Sequence, residues 1–185
     1  MRLFLAINLP KKIKQDLFLL SKQLSAELQG SLSLKPVEEN NLHITLRFLG
    51  DISEQKKDFL VKTLRTIAFP SFDLNFDTLD FFTYQRKPRV VFVHSRSEQF
   101  TNLVLQIDQR LKTLGLSLDS KPQECHITLF RVKFVKDLNS SLRILKNFHD
   151  LKEPFSIKVK SFELMESKLT PKGPIYKVLE SFSLE

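Results

Sequence analysis

The tetrapeptide HITL occurs twice in this chain of 185 residues, at positions 43–46 and 126–129, and it uses two of only four histidines. The spacing recurs: His43 and His126 stand 83 positions apart, and so do Phe72 and Phe155. An offset that holds over so much of the chain points to an internal duplication. It restricts the fold to architectures that two similar halves can build together.

Hydrophobic periodicity supports that reading. In the first half, about residues 1–85, RLFLAI has the character of a short strand. The stretch KKIKQDLFLLSKQLSAEL after Pro10 places Ile13, Leu17, Leu20, Leu24 and Leu28 at helical spacing. Gly30 and Pro36 bracket a loop, and LHITLRFLG follows as an apolar strand closed by Gly50-Asp51. Ser53 opens a second helix, Pro70 ends it, and FDLNFDTLDFF returns to a strand. In the second half, about residues 89–185, RVVFVHS is a strand and SEQFTNLVLQIDQRLKTLG a helix stopped by Gly115. After a loop ended by Pro122 come the strand CHITLFRV, a helix over DLNSSLRILKNF, Pro154, and the strand FSIKVKSFELM.

Each half therefore reads strand, helix, HITL strand, helix, strand. The expected fold is α+β: a bilobal, pseudo-twofold duplicated structure with two mainly antiparallel sheets flanked by helices around a central cleft. No low-complexity linker divides the halves, so residues 1–185 are read as one domain.

A hydrophobic content of 42% with 27% charged residues provides for a packed core and argues against disorder. No run reaches the ~18 apolar residues of a membrane span. The start, MRLFLAINLPKK, is broken too early by Asn8 and Pro10 to serve as a signal peptide. Cys125 is the one cysteine, so no internal disulfide forms. These features lead to the expectation of a cytoplasmic protein without membrane association. The net charge of +8 favours a polyanionic partner.

Alternation along a strand puts His43 and Thr45 on one face and Ile44 and Leu46 on the other, and does the same for His126 and Thr128 against Ile127 and Leu129. Each motif presents an imidazole beside a hydroxyl, backed by apolar residues. Packing can preserve apolar positions in both copies of a duplication, but it does not require histidine and threonine to recur. Two imidazoles with pKa values near ~6.5 can divide the work, one accepting a proton and the other donating one at the same pH. That pairing suits phosphodiester hydrolysis, with the threonines holding phosphate oxygens and a guanidinium offsetting their charge. Arg47 is in phase with His43 and is expected in the cleft. Arg131 is out of phase with His126 and reaches the cleft only through a bulge or a strand end.

The remaining candidates carry less. His94 and His149 have no counterpart in the other half and read as structural. Cys125 points to the face opposite His126 and reads as a buried, inert thiol. Phe130, in phase with Thr128, is either a stacking surface or core. The histidines lack zinc spacing and no phosphate-cradling glycine motif occurs, so neither a metal nor another cofactor is called for.

With these residues in place, the chain resembles the two-histidine (2H) phosphoesterase superfamily, and within it the RNA 2′,3′-cyclic phosphodiesterase branch formerly called the 2′-5′ RNA ligase family. The resemblance rests on RLFLAINLP, NLHITLRFLGDI, HITLFRVK and the closing FELMESKLTPKGPIYKVLESF. It implies metal-independent opening of an RNA 2′,3′-cyclic phosphate end to a 2′-phosphate. It further implies His126 as general base, His43 as general acid, and Thr45, Thr128 and Arg131 as phosphate contacts. The implied partner is RNA carrying a cyclic phosphate end, tRNA fragments included, and nothing in the chain demands more than a monomer. Three other readings stand beside it: 2′-5′ ligation as the reverse reaction, an enzyme acting on a small cyclic nucleotide, and a basic RNA-binding module without catalysis.

Overall fold

The computed structural model describes residues 1–116, 118, 123–171 and 173–185, so the loop expected to end at Pro122 lies outside the described residues. The strands are β1 (Arg2–Asn8), β2 (Leu32–Pro36), β3 (His43–Asp51), β4 (Phe72–Tyr84), β5 (Lys87–His94), β6 (His126–Val135), β7 (Asp150–Val159), β8 (Ser161–Thr170) and β9 (Gly173–Ser183). The helices are α1 (Lys11–Leu28), α2 (Glu54–Leu64), α3 (Glu98–Thr113) and α4 (Leu138–Asn147). Side-chain caps start three of the helices: Ser53, Ser97 and Asp137 accept from the backbone N–H groups of Lys56, Phe100 and Ser140. Gly115 closes α3 at φ 65°, a left-handed conformation suited to glycine.

The α+β reading holds. Every strand pairing is antiparallel, and the strands run β7-β4-β5-β6-β3-β1-β8-β9, with β2 alongside β6. The path is joined at its middle by one residue pair between β3 and β6, Ile44 opposite Ile127. On either side of this seam lie the two expected sheets.

The two sheets do not coincide with the two halves of the sequence. β4, from the first half, pairs with β5 and β7 of the second half. β8, from the second half, pairs with β1 of the first. By position, β1 matches β5, β3 matches β6 and β8 matches β4. This corrects the meaning given to the Phe72–Phe155 offset. Phe155 lies on β7, the hydrogen-bonded neighbour of β4, where it is opposite Phe76 with the rings stacked at 5.0 Å. The exchange leaves one large hydrophobic cluster that draws on both halves, from Leu3 and Leu5 of β1 to Phe162 of β8.

Local rules account for the other departures. The stretch FSIKVKSFELM is divided at Lys160 between β7 and β8. Pro154 lies inside β7, an edge strand, where the register jumps from Phe76–Phe155 to Thr78–Asp150. A proline is tolerated at an edge bulge because no ladder bond is asked of it. β2 is a five-residue strand in what sequence alone reads as loop. Among the described residues, no helix is long and apolar enough to cross a membrane.

Candidate active site

The seam at Ile44 and Ile127 sets the site. In an antiparallel pair the midpoint between facing residues is a local twofold, so His43 and Thr45 on β3 and Thr128 and His126 on β6 surround the isoleucine pair as two related couples. The isoleucines turn into the core and are fully buried. All four polar residues line one groove of about 900 Å³ on the other face.

Both imidazoles are held in the same way. The Nδ1–H of His43 donates to the Asn41 carbonyl at 2.6 Å, and that of His126 donates to the Glu124 carbonyl at 2.9 Å. A carbonyl only accepts, so each Nδ1 carries the hydrogen and each Nε2 is the nitrogen left for proton exchange. The His43 Nε2 accepts from the Thr45 hydroxyl at 3.1 Å. Aromatic rings fix both planes. Phe4 and Tyr176 flank His43, each at 5.2 Å between centroids, and Phe82 and Phe92 flank His126, each at 5.1 Å.

These enclosures depress both imidazoles. Burial pushes the His43 pKa down to about 4, opposed by its bond to the Asn41 carbonyl and reinforced by the positive charges of Lys14 and Arg131. Burial also lowers that of His126, opposed by the Glu124 carbonyl and carboxylate. Burial thus favours the neutral form of both rings at neutral pH.

The depressed His43 has a consequence for stability. Above pH 6.5 the ring is neutral in both the folded and the unfolded chain and contributes no pH dependence. As pH falls from 6.5 toward 4 the unfolded chain binds a proton that the folded chain refuses, and stability is lost at up to ~1.4 kcal/mol per pH unit. In urea unfolding at pH 7 and pH 4.5, wild type is expected to lose about 2 kcal/mol more than His43→Gln. Equal losses in the two proteins would show that His43 titrates normally.

The two arginines exchange the places expected of them, and matched bulges are the reason. Leu5 faces Arg47 while Ala6 faces Thr45, so Leu46 is an extra residue in β3. Val91 faces Phe130 while Phe92 faces Thr128, so Leu129 is an extra residue in β6, 83 positions on from Leu46. A bulge flips the faces of the residues that follow it. Arg131 thereby lines the groove, as the bulge alternative required. Arg47, expected in the cleft by alternation, instead turns to the opposite face. It is 7% exposed and forms a two-pronged ion pair with Asp108 of α3, Nε to Oδ1 at 2.7 Å and Nη2 to Oδ2 at 2.6 Å. Phe48, the counterpart of Arg131, points into the groove and is 66% exposed. Phe130 is core.

The groove also recruits Lys35, Asn41, Phe82 and Tyr176, none singled out by sequence. Cys125 is buried as expected, and burial raises its thiol to about 12. His94 is the cross-strand partner of His126. The Nδ1 of His149 donates to the Leu79 carbonyl, a structural bond.

Comparison with known proteins agrees with this geometry. The LigT-like phosphoesterase profile matches the chain twice in succession, over residues 7–92 and 93–176. The RNA 2′,3′-cyclic phosphodiesterase of Archaeoglobus fulgidus is 34% identical, the alignment covering 98% of this chain and 99% of that protein. The protein of the same name from Thermotoga maritima is 31% identical, covering 100% and 96%. The crystal structure of E. coli LigT complexed with 3′-AMP superimposes with a TM-score of 0.80 at 25% identity, covering 99% of this chain and 97% of that one. A duplicated match over nearly the whole length, together with a relative 34% identical from end to end, places this chain in the LigT-like phosphoesterase family of the 2H superfamily, in its RNA 2′,3′-cyclic phosphodiesterase branch.

Proposed function

We propose that this protein hydrolyses the 2′,3′-cyclic phosphate at an RNA end to a 2′-phosphate, using His43 and His126 without a metal ion. The observation that carries this reading is the pair of imidazoles on one groove, each with its Nδ1 tied to a carbonyl and its Nε2 left for proton transfer. The relatives that share its length are RNA 2′,3′-cyclic phosphodiesterases, which directs the reading to that substrate.

The reaction moves two protons. His126 Nε2 removes one from water as the water oxygen bonds to phosphorus. The bond from phosphorus to O3′ breaks, and His43 Nε2–H delivers a proton to that oxygen. The products are a 2′-phosphomonoester and a free 3′-hydroxyl, after which His126 releases the proton it gained to solvent and His43 takes one back. Thr45, Thr128 and Arg131 hold the non-bridging oxygens as charge builds on them. The assignment of acid and base follows the family resemblance, since the twofold arrangement is otherwise nearly even-handed. Burial favours the neutral form of His43. The bound phosphodiester anion offsets Lys14 and Arg131 and raises its affinity for the proton it must give up. The chain acts as a single bilobal domain, as a monomer and in the cytoplasm.

A short RNA ending in a 2′,3′-cyclic phosphate tests the reading. With EDTA present the product is expected to be the 2′-phosphate. The profile of kcat/KM should be a bell whose limbs report the free enzyme, one near 4 and one below 6.5, with its maximum between them. The kcat profile should lie at higher pH, because bound phosphate favours the imidazolium. A kcat/KM that still climbs above pH 7, or activity lost to EDTA, would sink this mechanism.

A further inference from the structure

The groove does not end at Arg131. We infer that the sheet face leading away from it, across β4, β5, β6 and β2, is a binding track for single-stranded RNA on the 5′ side of the terminal nucleotide. The enzyme then acts on oligonucleotide ends in preference to mononucleotides. This inference rests on the cyclic phosphodiesterase reading above and names the substrate class within it.

Strand register defines the face. Val90 of β5 and Lys35 of β2 both lie opposite Arg131, and all three line the groove. Beyond that row the strands continue outward together. On β4, alternation puts Tyr84 on the same face as the groove-lining Phe82, with Lys87 as its cross-strand partner. Arg89 is the extra residue of a bulge, between Phe82–Val90 and Thr83–Pro88, and its guanidinium lies 5.7 Å from the centre of the Tyr84 ring. On β6, Phe134 lies opposite Ser33, which shares the face of Lys35, and Lys133 is the extra residue beside it. Beyond the Arg131 row, which meets β4 at Phe82, Tyr84 stands two residues of strand away and Phe134 three, about 7 Å and about 10 Å.

Three physical features identify the occupant. Tyr84 is 60% and Phe134 56% exposed, so two large rings face solvent on either flank of one open sheet. Beyond the Arg131 row the charge is of one sign: residues 31–35, 83–89 and 131–136 include Lys35, Arg86, Lys87, Arg89, Arg131, Lys133 and Lys136 and no acidic residue, while Glu38 and Asp80 lie on the histidine side of that row. Exposed aromatics among basic side chains, on a sheet that continues from a phosphate site, are what single-stranded nucleic acid binds by stacking and backbone attraction. The turn between β4 and β5 adds a third feature. Gln85 and Arg86 take φ of 50° and 60°, the left-handed region in which a two-residue hairpin normally places asparagine or glycine. A strained turn that keeps a charged residue at its tip fits a tip that meets a ligand.

The test compares a nucleoside 2′,3′-cyclic phosphate with a hexanucleotide bearing the same end. Wild type is expected to favour the hexamer by about tenfold or more in kcat/KM, chiefly through KM. Tyr84→Ala and Phe134→Ala should each lower the hexamer value by about tenfold, and so should the combined Arg86→Glu, Lys87→Glu and Arg89→Glu variant, while the mononucleotide value stays at wild type. Both aromatic positions are largely exposed, so these substitutions remove no core. Equal handling of the two substrates by wild type, or equal losses on both in the variants, overturns the track. If neither substrate turns over, the cyclic phosphodiesterase reading fails first. Fluorescence anisotropy of the labelled hexamer then decides the track separately: weaker binding by Tyr84→Ala and Phe134→Ala supports it, and unchanged binding removes it.

Discussion

Replacing either His43 or His126 by alanine is expected to lower the rate of cyclic phosphate opening by at least about 10²-fold, the usual contribution of a positioned acid or base. The two rings lie on either side of one residue pair and each offers its Nε2 to the groove, so neither can take over the other's part. The double variant should therefore be little slower than either single one, because an acid and a base that act in one step fail together. Both side chains are half-buried on the groove face, outside the main core, and thermal unfolding should remain cooperative in all three variants. Affinity for RNA carrying a non-hydrolysable 3′ end should change only modestly, since Thr45, Thr128, Arg131 and Lys35 remain to hold phosphate. A basic RNA-binding module would instead show no turnover in wild type and weakened RNA binding in the variants. Single-turnover rates for wild type and the three variants separate the two.

The parts of this site that were legible in the sequence are those governed by strict alternation. The repeated HITL placed two imidazoles and two hydroxyls on one face because nothing interrupts β3 or β6 between the histidine and the threonine. One residue further along, each strand bulges, so the phase argument fails for Arg47, while Arg131 reaches the groove through the bulge it required. A bulge depends on how the neighbouring strand runs, and Leu46 and Leu129 look no different from leucines in a regular ladder. Helices fared well because apolar spacing and capping residues act locally: α1 covers the stretch from Lys11 to Leu28 that periodicity outlined. Strand partnership did not, since an exposed edge and a hydrogen-bonded neighbour have the same local pattern. That is why the offset from Phe72 to Phe155 suggested equivalent strands, when the two residues lie on strands paired to one another.

The reassigned Arg47 gives the second large effect, on stability. Its guanidinium and the Asp108 carboxylate form two charge-assisted hydrogen bonds, with side chains only 9% and 13% exposed, linking β3 to α3 across the two halves. Arg47→Met leaves the carboxylate without that guanidinium in a largely dry place. Breaking a buried pair from one side costs about 3–5 kcal/mol, so an unfolding midpoint well below that of wild type is expected. Replacing both partners, as Arg47→Met with Asp108→Leu, removes the stranded charge along with its mate and should recover most of the loss. Activity distinguishes this account from the one alternation suggested. If Arg47 held phosphate, the double variant would show a raised KM however stable it was. Because a bulge turns Arg47 away from the groove, the double variant should instead hydrolyse a cyclic phosphate end with wild-type kcat and KM at a temperature where it is folded. Urea unfolding and steady-state kinetics on the same preparations read both halves of the expectation. A stable double variant with a KM raised tenfold would return Arg47 to the substrate.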